Sequence, residues 1–162
     1  MRGLDHTPSS SEMTLASLRQ FLLAALTVGA IGIGVELLFI GHVEDRLQLV
    51  PVVLLTAGVA VVLWHMVRPG RASVRTMRLL MRLFVASGIL GVGLHYRGNH
   101  EFEREMYPTM AGAELVRNTL TGATPVLAPG SMALLGLIGL AAVYRLTPGH
   151  RDALATTKEH ES

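Results

Sequence analysis

The stretch that decides the fold is residues 21–41, FLLAALTVGAIGIGVELLFIG, in which Glu36 is the only charged residue. A helix needs roughly 20 apolar residues to cross a hydrocarbon core of about 30 Å, because lipid offers no partner for backbone N–H and C=O groups. The apolar run is too long for a signal peptide, and no small-residue cleavage pattern follows it. It therefore predicts a retained membrane span.

Three further apolar stretches follow along the chain. With the first span placed at residues 20–41, the others fall at about 47–67, 79–96 and 126–145. The third reaches span length only if Arg82 extends its side chain to the headgroups, and the fourth has Pro129 near its start, where a missing N–H costs little. The pattern predicts an all-α fold, an integral membrane four-helix bundle over residues 20–146.

The composition of the chain agrees with a lipid environment. Half of its 162 residues are hydrophobic and 16% are charged, against roughly one quarter charged in soluble domains. The absence of cysteine excludes disulfides, thiolate metal sites and cysteine nucleophiles. The basic residues lie mostly beside apolar stretches, so the net charge of +2 is explained by membrane topology and not by nucleic-acid binding.

The Lys and Arg residues predict the orientation. With both termini cytoplasmic, ten of the 14 fall on the cytoplasmic side: Arg2, Arg19, Arg68, Arg71, Arg75, Arg78, Arg82, Arg145, Arg151 and Lys158. Arg46, Arg97, Arg104 and Arg117 fall outside. The positive-inside rule favours this arrangement, with residues 1–19 and 147–162 as polar cytoplasmic tails.

Four arginines between the second and third spans are spaced at helical intervals. On one helix, Arg71, Arg75, Arg78 and Arg82 form a single basic stripe. Two interpretations stay open: the stripe anchors the topology, or it contacts anionic lipid headgroups.

The region outside the predicted membrane, residues 97–125, has helix-forming composition up to Pro108. The third helix is therefore predicted to continue beyond the membrane. A second short helix is predicted over residues 111–120, ended by Gly122 and Pro125. Together they predict a short helical cap on the extracytoplasmic side.

Glu36 is the leading candidate for function, because a carboxylate inside a span normally faces a partner or a wet cavity. By this topology Glu36, His42, His95 and Glu103 approach the same side, and imidazole with carboxylate suits a divalent metal such as zinc, iron or manganese. The plainer interpretation is an acid that is protonated or hydrated near the interface and holds two helices together. The residues indicate no catalytic group and no organic cofactor.

Glycines are abundant in three of the four predicted spans. They are Gly29, Gly32 and Gly34 in the first, Gly88, Gly91 and Gly93 in the third, and Gly136 and Gly139 in the fourth. Small residues let helix backbones approach closely in lipid, so these spans are expected to pack tightly, either within the bundle or against another subunit.

Several short motifs give the chain a resemblance to known sequences. They are GHVED at 41–45, QLVP at 48–51, NHEFE at 99–103, GATP at 122–125 and APG at 128–130. In these the chain resembles small uncharacterised bacterial four-span membrane proteins, which implies the bacterial inner membrane and no particular activity.

Three functions follow as hypotheses. The first is a noncatalytic accessory or assembly subunit that binds other membrane components, or a second copy, through its cap and glycine-rich faces. The second is a small membrane metal-binding protein or enzyme that uses the outer His and Glu residues. The third is an oligomeric conductor of ions or small solutes in which Glu36 lines the path.

Overall fold

The computed structural model describes residues 9–41, 45–122 and 124–144. These residues form five α-helices and no strand: α1 (Ser10–Phe39), α2 (Arg46–Val67), α3 (Arg71–Met106), α4 (Gly112–Thr121) and α5 (Gly130–Ala142). The prediction of an all-α fold with long apolar helices is confirmed. Among the described helices, α1, α2 and α3 are long and apolar enough to cross a membrane.

Two of the helices begin at capping boxes. Ser9 accepts a hydrogen bond from the backbone N–H of Glu12, whose carboxylate accepts the N–H of Ser9 at 2.8 Å. Asp45 and Gln48 make the same reciprocal pair at the start of α2. Each pair satisfies backbone donors that a helix otherwise leaves open. The first box explains why α1 begins at Ser10, inside the segment predicted as a polar tail.

Helix α3 is continuous for 36 residues, from Arg71 to Met106. At 1.5 Å per residue it is about 54 Å long, well beyond the roughly 30 Å of a hydrocarbon core. The four-arginine stripe is the first part of this helix and not a separate element. The stripe therefore runs along the axis of α3.

Four of the helices form a ring around a common core. α1 contacts α2 and α5, and α3 contacts the same two helices from the opposite side. The side chains of Leu26, Leu55, Met77, Met81 and Phe84 are fully buried where the four helices meet. Most of the remaining apolar surface of α1 and α2 faces outward, which agrees with lipid as the surrounding solvent.

Helices α3 and α5 meet at their backbones. A Cβ atom built on Gly136 would lie 2.6 Å from the carbonyl oxygen of Met81, and one built on Gly88 would lie 2.5 Å from the amide nitrogen of Ala133. Neither neighbour is a side chain that can rotate away. The two helices depend on glycine at these positions, as expected for close packing in lipid.

Gly58 of α2 supports the core in a different way. A Cβ atom at this position would lie 2.6 Å from the ring of Phe84, which is completely buried. Gly58 thus makes room for the largest side chain at the centre of the ring. The spans singled out for their glycines do not include α2, so this contact is a finding of the structure.

Helix α5 has 13 residues, fewer than the predicted span of 126–145. Before it, residues 125–132 wind in tight turns: the amides of Ala128 and Gly130 donate to the carbonyls three residues earlier, those of Pro125 and Leu127, at 3.2 and 2.9 Å. Pro129 has no N–H to donate to the carbonyl of Pro125, so a regular α-helix running through both residues would lose that hydrogen bond.

Helix α4 packs against the last part of α3. It covers Gly112–Thr121, close to the short helix predicted over 111–120. The end of the ring beside α4 is called the cap end below. The opposite end, where α3 begins at Arg71, is called the arginine end.

Candidate functional site

Glu36 lies on α1, one turn before the helix ends at Phe39, and its side chain is exposed. Within the described part of the chain it makes no hydrogen bond or ion pair. Gly29, seven residues earlier, contacts Leu135 of α5, so helical rise places Glu36 about level with the start of α5. The carboxylate is therefore near the cap end and on the outer surface of the ring.

His95 is half-buried on α3 at the cap end. Its Nδ1 lies 3.1 Å from the carbonyl oxygen of Pro125. Because a carbonyl can only accept, Nδ1 carries the proton and donates. This hydrogen bond fastens the turn before α5 to α3 and assigns one imidazole nitrogen to a structural role.

Asn99 is the most fully engaged polar side chain at the cap end. Its Nδ2 donates to the carbonyl oxygens of Thr119 and Thr124 at 3.0 and 2.7 Å. Its Oδ1 accepts the backbone N–H of Thr124 at 3.3 Å. A single side chain, 4% exposed, thus ties α3 to α4 and to the turn leading into α5. His95, Asn99 and Glu103 follow one another at steps of four residues in the sequence, and this spacing is the signal that points to Asn99.

Two more polar residues are buried near Asn99. Thr119 of α4 is fully buried, and its hydroxyl has no hydrogen-bond partner within the described part of the chain. Glu103, one turn beyond Asn99 on α3, is 9% exposed. The contact between α3 and α4 is consequently polar as well as apolar.

The cap end also carries one exposed ion pair. Arg97 Nε donates to Glu101 Oε1 at 2.7 Å, one helical turn away on α3. This hydrogen bond and the carboxylate charge raise the pKa of the Arg97 guanidinium. Both side chains are solvated, so the pair contributes little to the stability of the cap.

The predicted metal site, Glu36, His42, His95 and Glu103, is covered only in part. His42 lies outside the described residues. Across residues 9–41, 45–122 and 124–144, no three His, Asp or Glu side chains are close enough together to hold a metal ion. The four-residue site stays a prediction.

At the arginine end, two arginines bind the carboxyl end of α5. Arg78 of α3 donates to the carbonyl oxygen of Val143 at 3.2 Å, and Arg19 of α1 donates to that of Tyr144 at 3.3 Å. Helix C-termini carry open carbonyls and partial negative charge, which cations satisfy. Arg78 therefore has a structural role that its place in the stripe does not reveal.

The turn between α2 and α3 is held by a buried serine. The Ser73 hydroxyl lies 3.1 Å from both the amide nitrogen and the carbonyl oxygen of Gly70, and 2.9 Å from Nδ1 of His65. Ser73 is 1% exposed, which excludes it as an accessible nucleophile. His65 is therefore bonded across this turn.

An apolar groove opens between α1 and α2 on the outside of the ring. Its volume is about 430 Å³, and Ala30, Gly34 and Val35 line it from α1. Thr56 and Ala60 line it from α2, and the hydroxyl of Thr56 donates to a carbonyl of its own helix at 2.9 Å. The other lining residues are larger isoleucine, leucine and valine side chains, so the groove is apolar and presents no unsatisfied polar group from Thr56.

No family model matches this chain, and neither a curated protein nor a solved structure shows significant similarity to it.

Proposed function

We propose that the chain is a four-span protein of the bacterial inner membrane, with the arginine end cytoplasmic and the cap end outside. α5 packs against both α1 and α3 in the ring, so lipid around those helices reaches α5 too. The tight turns before α5 lengthen its apolar segment. The excess of basic residues at the arginine end supports the orientation.

The topology can be tested with single cysteines, because the chain has none of its own. Ala72 and Glu105 are exposed near opposite ends of α3. In intact inner-membrane spheroplasts, a membrane-impermeant maleimide is expected to label Glu105→Cys at once and Ala72→Cys only after the membrane is opened. Labelling of Ala72→Cys in intact spheroplasts would reverse the orientation, and labelling of both would remove α3 as a span.

Within that membrane, we propose that the protein is a noncatalytic accessory subunit that binds a transmembrane helix of another membrane protein. The main observation that supports this proposal is the groove between α1 and α2. Association in lipid has no hydrophobic driving force, so it depends on close backbone approach over small side chains. Ala30 and Gly34 on one wall, facing Thr56 and Ala60 on the other, permit that approach.

Glu36 supports the same proposal from a neighbouring face of α1. It is an exposed carboxylate near the end of an apolar helix, without a partner in the described part of its own chain. Such groups in spans normally face a partner or water. A basic or hydroxyl side chain of a bound subunit would satisfy it.

Filling the groove tests the proposal. Gly34→Leu places a side chain into it, since a Cβ atom at Gly34 meets only Leu55, at 4.0 Å. We expect a complex of fixed stoichiometry with a second, different polypeptide after gentle solubilisation of wild-type membranes, and its loss in Gly34→Leu. Gly32→Leu is the matched control, because Gly32 is two residues away on the same helix, does not line the groove and has nothing within 4 Å.

The outcomes separate the hypotheses. A wild-type complex that persists in Gly34→Leu would move the binding surface away from the groove. A complex containing only this chain would replace the accessory function by self-association. A monomer under every gentle condition would contradict both.

A further inference from the structure

The charges at the arginine end are unbalanced within the described chain. Residues 13–35, 46–100 and 124–144 contain no aspartate or glutamate. Glu12 is the described acid at this end, and its carboxylate accepts the backbone N–H of Ser9 in the capping box of α1. Arg19 and Arg78 donate to the end of α5, whereas Arg71, Arg75 and Arg82 are exposed and make no hydrogen bond or ion pair with the described residues. Among the described residues, these three guanidinium groups have no counter-charge.

These three arginines lie on one face of α3. Steps of four and seven residues bring Arg71, Arg75 and Arg82 within an arc of about 40°. Leu79 and Leu83, which are 60% and 46% exposed, lie beside this face, about 40° and 80° farther around the helix than Arg75. Exposed guanidinium groups next to exposed leucines suit a ligand that is both anionic and apolar.

The position of Arg82 along α3, well inside the ring, limits which anionic ligands it can bind. Its neighbour Met81 contacts Gly136 and Gly139 of α5, and Gly139 also meets Leu26 of α1. Arg82 is therefore level with apolar segments of both helices, one turn farther into the ring than Arg78. Its guanidinium must extend back toward the boundary, where phosphate groups of the bilayer lie.

We propose that Arg71, Arg75 and Arg82 bind the phosphate headgroups of anionic phospholipids in the leaflet at the arginine end, with acyl chains against Leu79 and Leu83. Guanidinium pairs with phosphate oxygens in a two-pronged geometry that ammonium lacks. A soluble anion has no apolar part that could contact Leu79 and Leu83. The inference rests on the proposed membrane placement and is independent of any bound subunit.

Native mass spectrometry of the full chain released from mild detergent provides the test, with phosphatidylglycerol and phosphatidylcholine as probes. Wild type is expected to retain phosphatidylglycerol in preference to phosphatidylcholine. The triple variant Arg71→Gln, Arg75→Gln, Arg82→Gln is expected to bind phosphatidylglycerol at least about tenfold more weakly, since each basic residue near an anionic surface adds to the attraction. The matched control is Arg97→Gln, Arg104→Gln, Arg117→Gln, all exposed at the cap end, and it is expected to bind like wild type.

Three results would overturn the proposal: equal retention of both lipids, equal losses in the two triple variants, or thermal stabilisation by inorganic phosphate that matches that of phosphatidylglycerol. The last would assign the site to a soluble anion. Gly34→Leu is expected to keep the lipid preference, so loss of the subunit complex with an intact lipid response counts against the accessory function alone.

Discussion

Gly88→Ala is expected to lower the melting temperature of the purified protein sharply, although it adds only one methyl group. The added Cβ would lie 2.5 Å from the amide nitrogen of Ala133 and 2.9 Å from the carbonyl oxygen of Pro129. Both are backbone atoms, so α5 must move as a whole. Overpacking of this kind costs about 1–3 kcal/mol, and a melting curve in mild detergent measures it.

Gly93→Ala is the matched control for this change. It lies five residues farther along α3, and a Cβ atom there has no neighbour within 4 Å. Both substitutions gain the higher helix propensity of alanine, so the difference between them isolates the contact with α5. Equal melting temperatures would mean that α3 and α5 are not packed backbone to backbone.

Asn99→Leu is expected to release α4 and the turn before α5 while leaving the ring folded. The substitution keeps the branched shape and the number of side-chain heavy atoms but removes the hydrogen bonds to the carbonyls of Thr119 and Thr124. A buried acceptor left without a partner costs about 1–3 kcal/mol, so the local opening free energy of the cap should fall by roughly 2–4 kcal/mol. Hydrogen exchange should then be faster across α4 and unchanged across α1 and α2.

Asn118→Leu makes the same exchange on α4 and serves as the control. Asn118 is half-buried, and its Nδ2 contacts only the sulfur of Met110, at 3.3 Å, which is a weak acceptor. Its effect on exchange should be small. Equal protection of α4 in wild type and Asn99→Leu would show that the cap is held by other contacts.

Hydropathy predicted the long helices because the apolar content of a segment indicates whether it is stable in lipid or in water. The second predicted span, 47–67, falls within α2, and the first, 20–41, runs two residues past the end of α1 at Phe39. It could not predict that α5 would be as short as 13 residues, because that depends on how Pro125 and Pro129 wind the preceding turns. Nor could it show that α1 extends to Ser10, which a capping box determines.

The sequence was less informative about which helices pack together, because composition does not identify the helix faces that contact each other. The prediction that the glycine-rich helices pack tightly matches Gly29, Gly88 and Gly136, which lie against neighbouring helices. Gly32 and Gly93 have no neighbour within 4 Å, although they looked equivalent in the sequence. Whether a glycine meets a neighbouring helix depends on how the two helices are aligned. The sequence of one segment does not determine that alignment.

For the polar residues too, the sequence predicted which side chains share a helix face but not which distant residues they contact. Sequence spacing brought His95, Asn99 and Glu103 to one face of α3, yet only the fold shows Asn99 bonded to α4. Arg78 looked like the other stripe arginines until α5 was seen to end beside it. In each case the partner is far along the chain, where local pattern carries no information.

The unbroken course of α3 joins the arginine end of the ring to the cap end. Its glycines at the middle lie against α5, its first turns are bonded to α2 and to the end of α5, and Asn99 near its other end is bonded to α4. A tilt of about 10° around the middle of this helix, which is about 54 Å long, would move each of its ends by roughly 5 Å. Since α3 carries both the arginine stripe and Asn99, such a tilt would displace the cap together with the stripe.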